Sequence, residues 1–314
     1  MFKLTPEDLF WELYNAKNET AVEKIIEMYS DVFRSENWRP LGGNESNFGV
    51  VENQQSNPVA ALVEKLTNSI DAILMRRCYE EGIDPKSPSA PRSIDTAIER
   101  FFPDHKNWDL PNARNSQAEH IQILADSKSG DTSDTSIIIY DDGEGQHPHH
   151  FEDTFLSLLR GNKNEIHFVQ GKYNMGGSGA IVFCGKNRYQ LIASRRYDAT
   201  GEFGFTLIRK HPLSPQEAQT KKNTWYEYLV IDGNIPSFAI TDLDLGLHNR
   251  RFRTGTVIKL YSYDTKGNRH LRRDMSRSLN EFLYEPALPI YVVETAERYP
   301  NDKVLTGVVF GLKR

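Results

Sequence analysis

Three polar side chains that could do chemistry, Glu64, Asn68 and Asp71, follow one another at intervals of four and three residues. In an α-helix this spacing places them one above another on a single stripe. A carboxylate can accept a proton, and an amide oxygen is a ligand for a hard cation such as Mg²⁺. Taken alone, the same three residues fit the solvated face of an ordinary surface helix equally well.

The pattern around these residues predicts the helix that would carry them. Asn57 followed by Pro58 is typical of a helix N-terminus, and Gly82 is typical of a helix end. Apolar residues recur with the same period on roughly the opposite side: Leu62, Leu66, Ile70, Ile73 and Leu74. We therefore predict an amphipathic helix from residue 58 to about residue 81.

Two glycine-rich segments lie further along the chain. The first, Asp141-Asp142-Gly143-Glu144-Gly145, comes directly after the β-branched residues 136–140, which we predict to be a strand. Glycines at these positions let the backbone turn sharply and approach a ligand closely. The second, residues 171–179, leads into apolar residues 180–183 and could present backbone N–H groups to an anion at a helix N-terminus.

Helices are predicted mainly early in the chain and strands later. The further predicted helices are residues 5–35, 93–102, 151–159 and 271–284. The further predicted strands are residues 121–125, 189–194, 202–209, 225–231 and 255–261, with two more within 288–312. This order favours an α+β layered sandwich over a Rossmann sheet. No GxxxxGK[ST] sequence occurs, which excludes a P-loop nucleotide site.

Length and composition indicate a soluble globular protein. The 314 residues can form one large domain or two smaller ones, and 38 basic against 43 acidic residues give a net charge of −5. There is thus no overall attraction to nucleic acid or to anionic membranes. With only Cys78 and Cys184, no CxxC pair, no secretory signal pattern and no long apolar run, we expect a reduced, cytoplasmic protein that does not bind membranes.

Four segments in order resemble the motifs of the GHKL ATPases, the superfamily of gyrase, the heat-shock chaperones, histidine kinases and MutL. Glu64-x-x-x-Asn68-x-x-Asp71-Ala72 resembles the first motif, and Asp141-x-Gly143-x-Gly145 resembles the second. Residues 171–179 stand where the third, glycine-rich motif belongs, and Gly255-Thr256 entering a strand resembles the last. The resemblance covers roughly residues 50–262. It departs from the common GxxGxG form of the third motif, in which Asn174 would be a glycine.

The resemblance implies a two-layer α/β sandwich of the Bergerat ATP-binding type, with a mixed, mostly antiparallel sheet and helices on one face. ATP would be the substrate and Mg²⁺ the cofactor. Glu64 would be the catalytic base, Asn68 the Mg²⁺ ligand, Asp141 the acceptor for the adenine amino group, and Thr256 a hydroxyl near the adenine. The remaining implied nucleotide contacts are Asp71, Ala72, Gly143, Gly145, Lys163, Lys172, Gly176, Gly177, Ser178 and Gly179.

The first motif resembles the MutL, MORC and heat-shock branch, because histidine kinases usually carry an amide where Glu64 stands. This branch implies ATP hydrolysis coupled to formation of a homodimer, with a lid at about residues 146–175. Two alternatives remain, a nucleotide-sensing interaction module with little turnover and a phosphotransferase of the histidine kinase type. The pathway and the client, whether a nucleic acid or a protein, are not encoded in these residues.

Three segments are expected along the chain. Residues 1–45 would form an N-terminal helical extension and a candidate exchange arm. Residues 46–265 would form the ATP-binding domain. Residues 266–314 would add a helix and strands, which could begin a following domain of the transducer type.

Two other features have ordinary explanations. His147, His149 and His150 fit no standard zinc spacing, so we expect a polar loop there. The basic clusters at residues 250–253 and 269–273 are expected to be solvated turns and a helix face, with direct nucleic-acid contact as the minority alternative.

Overall fold

A computed structural model describes residues 4–158, 164–171 and 178–312. The α-helices in these residues are Pro6–Asn15 (α1), Glu19–Met28 (α2), Phe48–Glu52 (α3), Pro58–Glu80 (α4), Ile94–Phe101 (α5), Pro111–Ala118 (α6), Pro215–Thr220 (α7) and Ser276–Phe282 (α8). Short 3₁₀ helices occur at Ser35–Asn37, Leu41–Gly43, Glu45–Asn47, His105–Asp109, Pro148–Asp153 and Ile181–Phe183, and Leu271–Met275 is a π-helical turn.

One mixed sheet forms the centre of the fold. Its ten described strands are Trp38–Pro40 (β1), Ile121–Asp126 (β2), Ser136–Asp141 (β3), Gln190–Arg195 (β4), Phe203–Lys210 (β5), Tyr226–Leu229 (β6), Ser237–Phe238 (β7), Gly255–Leu260 (β8), Ile290–Val293 (β9) and Thr306–Val309 (β10). The order across the sheet is β1-β6-β5-β4-β8-β3-β2-β9-β10, and β7 pairs with β5. All pairs are antiparallel except β2 with β9, which is parallel. The α+β class and the mostly antiparallel sheet are thus confirmed.

Both faces of the central strands are buried. Successive side chains of a strand point to opposite sides, so the two faces of β3 pack in different cores. In β3, Ile137 and Ile139 pack in the core that also contains α4, whereas Ile138 and Tyr140 pack in a second core. The second core contains the apolar faces of α1 and α2. The prediction that helices cover one face only is therefore wrong. Helices α1 and α2 cover the other face, since a strand with apolar side chains on both sides needs cover on both sides.

Helix α4 forms at the position that the sequence predicts. Asn57 accepts backbone N–H bonds from Val59 at 2.8 Å and from Ala60 at 3.3 Å, which caps the first turn. Leu62 and Leu66 are fully buried in the core against the sheet. The burial of this stripe turns the opposite stripe, with Glu64 and Asn68, away from the core. Both of these residues are partly exposed.

Several other predictions differ from the structure in detail. The helix predicted at residues 5–35 is two helices, because Asn18 caps the second one by accepting the N–H of Ala21 at 3.0 Å. The helix predicted at residues 151–159 is wrong, since Pro148–Asp153 is a 3₁₀ turn. Five elements were not predicted, because they are short or weakly periodic: β1, α3, α6, α7 and β7.

The terminal segments belong to the same sheet as the central part. Strand β1 pairs with β6, and β9 pairs with β2, so the boundaries expected at residues 45 and 265 fall within one continuous sheet. Phe10 of α1 packs edge-on against Phe203 with ring centroids 4.9 Å apart. Among the described residues, none of the helices has the length and apolar character that crossing a membrane requires.

Candidate functional site

One face of α4 contacts the second motif segment and the start of the third. From the N-terminal end of the helix, the relevant residues are Glu64, Asn68, Ser69, Asp71 and Ala72. Ser69 and Ala72 meet residues 141–144, Asn68 and Asp71 meet Gly171, and Glu64 meets Gln55. The helix therefore acts as the common support of the candidate site.

Asp141, the last residue of β3, is fixed against α4. Ser69 donates its hydroxyl to Asp141 Oδ2 at 3.1 Å, and the Gly143 N–H donates to Asp141 Oδ1 at 3.1 Å. The residue is only 6% exposed, and this burial raises the pKa of its carboxyl to about 7, although both hydrogen bonds favour the ionised form. Asp141 can therefore act as an acceptor or as a donor near neutral pH.

The loop after Asp141 is held tightly to α4. The Glu144 N–H donates to the Ala72 carbonyl at 2.9 Å. A Cβ atom on Gly143 would lie 2.5 Å from Ala72 Cβ, so only glycine fits there. Gly145 has a φ of +55° and packs against the Arg195 backbone, where a side chain would overlap with the Arg195 carbonyl. These glycines are needed for close packing of the loop.

Thr256 lies beside Asp141 on the neighbouring strand. The two residues are register partners of β8 and β3. The Thr256 hydroxyl is 3.1 Å from the hydroxyl of Ser194, which donates to the Gly255 carbonyl at 2.8 Å. Thr256 is 5% exposed and thus forms part of the buried wall near Asp141.

Asn68 and Asp71 face the start of the third motif. Asp71 Oδ2 accepts the N–H of Gly171 at 2.7 Å and of Gln170 at 3.0 Å, and Oδ1 accepts the Gln170 N–H at 2.9 Å. A Cβ atom on Gly171 would lie 2.8 Å from Asn68 Oδ1. The amide oxygen of Asn68 and the backbone of Gly171 therefore lie next to each other.

The first turns of α4 meet the end of the third motif through two glutamines. Gln55 donates its amide hydrogen to Glu64 Oε1. The Ser178 hydroxyl donates to Gln54 Oε1 at 3.0 Å, and the Cβ position of Gly179 lies 3.2 Å from the same oxygen. Glu64 and Ser178 are thus linked through adjacent residues of the chain.

Parts of the predicted third motif cannot be compared with the structure. Lys163, Lys172, Gly176 and Gly177 lie outside the described residues. The helix expected after Gly179 is a single 3₁₀ turn, Ile181–Phe183. The predicted helix N-terminus after the glycines is therefore wrong as to an α-helix, because only this short turn forms there.

Asp142, which the sequence analysis left without a ligand role, faces an ionic cluster of its own. Arg76 pairs with it, Arg250 donates to its Oδ2 at 2.7 Å, and His120 Nδ1 is 3.2 Å from Oδ2. Burial opposes its ionisation, but the His120 hydrogen bond and the two arginines outweigh burial and lower the pKa of Asp142. Arg250 is therefore engaged inside the protein, whereas Arg251 is exposed and pairs with Asp242 at 2.5 Å on the surface.

A cleft of about 400 Å³ lies further along α4. It is lined by Met75 and Tyr79 of the helix, by the loop after Gly145, and by Arg196 and Tyr197 at the end of β4. The rings of Tyr79 and Tyr197 stack with centroids 5.7 Å apart. Glu64, Asn68 and Asp141 are not among its lining residues, so this cleft is adjacent to the candidate site rather than identical with it.

The donor set suits a magnesium ion that is bound together with phosphates. Among residues 4–158, 164–171 and 178–312, no group of three or more His, Cys, Asp or Glu residues has a metal-binding arrangement. Mg²⁺ commonly takes one or two protein oxygens and completes its shell with phosphate oxygens and water. The Asn68 amide oxygen meets this requirement. The rings of His147 and His149 stack, and the His150 ring meets that of His149 edge-on with centroids 4.2 Å apart.

Sequence reasoning missed the residues that hold the motif side chains in place. Ser69 and Ser194 support Asp141 and Thr256, and Gln54 and Gln55 support the glycine segment and Glu64. Ser69 adjoins Asn68, but its partner is 72 residues away. Spacing along the chain contains no signal for such a contact.

The comparisons with known proteins give no family for this chain. No protein-family model matches it, and no curated protein matches it in sequence.

Proposed function

We propose that this protein binds ATP with Mg²⁺ and hydrolyses it, as an ATPase of the GHKL superfamily with a Bergerat-type fold. One observation carries the proposal. Asp141, at a strand end, hydrogen-bonds to Ser69, and Gly143 just after it packs against Ala72, one helical turn beyond Asn68, so the proposed adenine acceptor and the proposed cation ligand lie near neighbouring positions of α4. Segments that are far apart in sequence therefore meet at this helix, which supports the proposal.

The chemistry of each group supports this assignment. Ionised Asp141 can accept a hydrogen bond from the adenine amino group, whereas guanine has a carbonyl oxygen at that position. Bound Mg²⁺ would neutralise phosphate charge, and Asn68 would hold it. Glu64, one turn before Asn68, is spaced to orient or deprotonate the water that attacks the terminal phosphate.

Isothermal titration with ATP and with GTP, each with and without Mg²⁺, tests the proposal. We expect the wild-type protein to bind ATP in a magnesium-dependent way and to bind GTP at least about tenfold more weakly. The Asp141→Asn variant should lose most of this preference, because an amide can also donate a hydrogen bond. Absence of ATP binding by the wild-type protein would refute the function.

A second candidate function is nucleotide sensing with little turnover. It is favoured by the hydrogen bond from Gln55 to Glu64, because a carboxylate oxygen engaged by an amide is less available to accept a proton from water. Release of phosphate under saturating ATP distinguishes the two functions. Turnover that is no greater in the wild-type protein than in Glu64→Ala would favour the sensor.

We also propose that ATP binding drives formation of a homodimer. In the described structure, α1 and α2 are docked on their own sheet, where Tyr261 donates its hydroxyl to the Leu13 carbonyl at 2.7 Å. An exchange of residues 1–45 between subunits would have to replace these contacts with equivalent ones in the partner. The dimer would therefore form either by such a swap or through a different surface.

A further inference from the structure

The chain that enters the glycine-rich segment is held by a fully buried carboxylate. Asp71 is 0% exposed, and its two oxygens accept three hydrogen bonds from the consecutive backbone amides of Gln170 and Gly171. Both oxygens of Asp71 are thus used to hold backbone, at the point where the third motif begins.

The rest of this short segment is anchored by apolar side chains. Ile166, Phe168 and Val169 are buried in the core that contains α4, and the Phe168 ring meets the Phe101 ring of α5 edge-on at 6.2 Å. Apolar contacts resist removal of the segment from the core, but they do not set its register to within a few tenths of an ångström. The directional bonds to Asp71 do set it, because they fix two successive amides.

The register matters because Gly171 lies directly against Asn68. A Cβ atom on Gly171 would lie 2.8 Å from Asn68 Oδ1 and 3.3 Å from Asp71 Oδ2. Asn68 and Asp71 are three residues apart on one stripe of α4. The helix therefore presents a cation ligand and a backbone clamp side by side to the same residue.

We propose that Asp71 is a positioning residue that fixes the first residue of the glycine-rich segment over Asn68. This inference rests on the proposed function and deepens it. The resemblance implies a nucleotide contact for Asp71, whereas the geometry points to a clamp between α4 and the backbone of Gln170 and Gly171. The clamp fixes the position of Gly171 relative to the proposed magnesium ligand Asn68.

Hydrogen exchange tests the clamp without any nucleotide. In Asp71→Asn, which keeps the side-chain volume, the amides of Gln170 and Gly171 should exchange at least about tenfold faster than in the wild-type protein, because their acceptor is weakened. Asp142→Asn is the matched control, since Asp142 is also a buried carboxylate beside α4 but contacts other residues. It should leave exchange at these two amides unchanged. Equal protection in Asp71→Asn and the wild-type protein would overturn the clamp.

A binding measurement then tests the consequence for the site. Asp71→Asn should lower the affinity for ATP more than the affinity for ADP, so that their ratio falls at least about threefold. A purely structural role would weaken both equally, and that result would overturn the positioning role. If the wild-type protein binds neither nucleotide, the proposed function fails while the exchange result still decides whether the clamp exists.

Gly171→Ala provides a second variant in case Asp71→Asn does not fold. It keeps Asp71 but inserts a methyl group between the segment and Asn68. The same faster exchange and the same fall in the ATP to ADP ratio are expected. Wild-type exchange rates and an unchanged ratio in this variant would count against the proposal.

Discussion

Ser69 of α4 donates its hydroxyl to Asp141 at the end of β3 across 3.1 Å, which joins a helix face to a strand end 72 residues later. The hydrogen bond sets the orientation of a carboxylate that is almost completely buried. Because burial raises the pKa of Asp141 to about 7, this contact lies at a group whose charge changes near neutral pH.

The affinity for ATP should depend on the ionisation of Asp141. Only the ionised carboxylate is purely an acceptor, so we expect the dissociation constant of ATP to rise as the pH falls below about 7, by up to about tenfold per pH unit. Titration calorimetry between pH 6 and pH 8 measures this. Asp141→Asn should bind weakly and without this pH dependence. A wild-type affinity that is constant over the range would contradict the assigned role.

The ionisation of Asp141 should also affect the stability of the protein, and its pH dependence should have the opposite sign to that of ATP affinity. Between about pH 4 and pH 7 the folded protein keeps a proton on Asp141 that the unfolded chain has released, so the free energy of unfolding falls as pH rises. We expect Asp141→Asn to be more stable than the wild-type protein at pH 8, by up to about 4 kcal/mol, and equally stable near pH 4. Chemical denaturation at both pH values checks the sign, and a variant that is less stable at pH 8 would refute it.

Removal of the proposed base should separate binding from hydrolysis. Glu64→Gln keeps the size of the side chain and should leave the affinity for ATP within about threefold of the wild-type value. The rate of phosphate release should fall by roughly 10² to 10⁴, the usual contribution of a general base. Residual turnover close to the wild-type rate would show that Glu64 does not act as the base. Glu80, an exposed acid at the end of the same helix, provides the control variant Glu80→Gln.

Helix α1 should contribute strongly to the stability of the fold. Phe10 is fully buried among the rings of Phe203, Phe205 and Phe238, and Phe10→Ala should lower the free energy of unfolding by about 3–5 kcal/mol. Met28→Ala at the exposed end of α2, where the side chain is 70% exposed, should change it by less than about 0.5 kcal/mol. Similar small effects from both substitutions would indicate that residues 1–45 are only loosely attached.

The proposed dimer can be tested by sedimentation. With saturating non-hydrolysable ATP analogue and Mg²⁺ the protein should sediment as a dimer, and without nucleotide it should sediment as a smaller species. Asp141→Asn under the same conditions serves as the control for nucleotide occupancy. A monomer at saturating analogue would exclude the ATP-gated association.

The sequence was sufficient for elements that have a strong local pattern. Helix α4 was predictable because Asn57, Pro58 and a regular apolar stripe all specify it, and β3 because residues 136–140 are almost all apolar or β-branched. The second helical layer was not predictable, since nothing in the pattern of α1 states which face of the sheet it covers. Short elements such as β1 depend on pairing with β6, which local sequence does not determine.

The candidate site was predictable only in its motif residues. The proposed role of each motif residue requires a particular residue type at a particular spacing. The partners that hold these residues in place come from other segments of the chain. Gln170 and Gly171 show this, because their contacts with Asp71 are made by backbone amides, which every residue except proline has. The side-chain pattern of the sequence therefore cannot predict these backbone contacts.

The two walls of the candidate site differ in how the fold supports them. Strand β3 has hydrogen-bonded neighbours on both edges and apolar layers on both faces, so its opening requires disruption of most of the protein. Residues 166–171 rest on three apolar side chains and one carboxylate. Thermal motion should therefore detach residues 166–171 from α4 before it loosens Asp141.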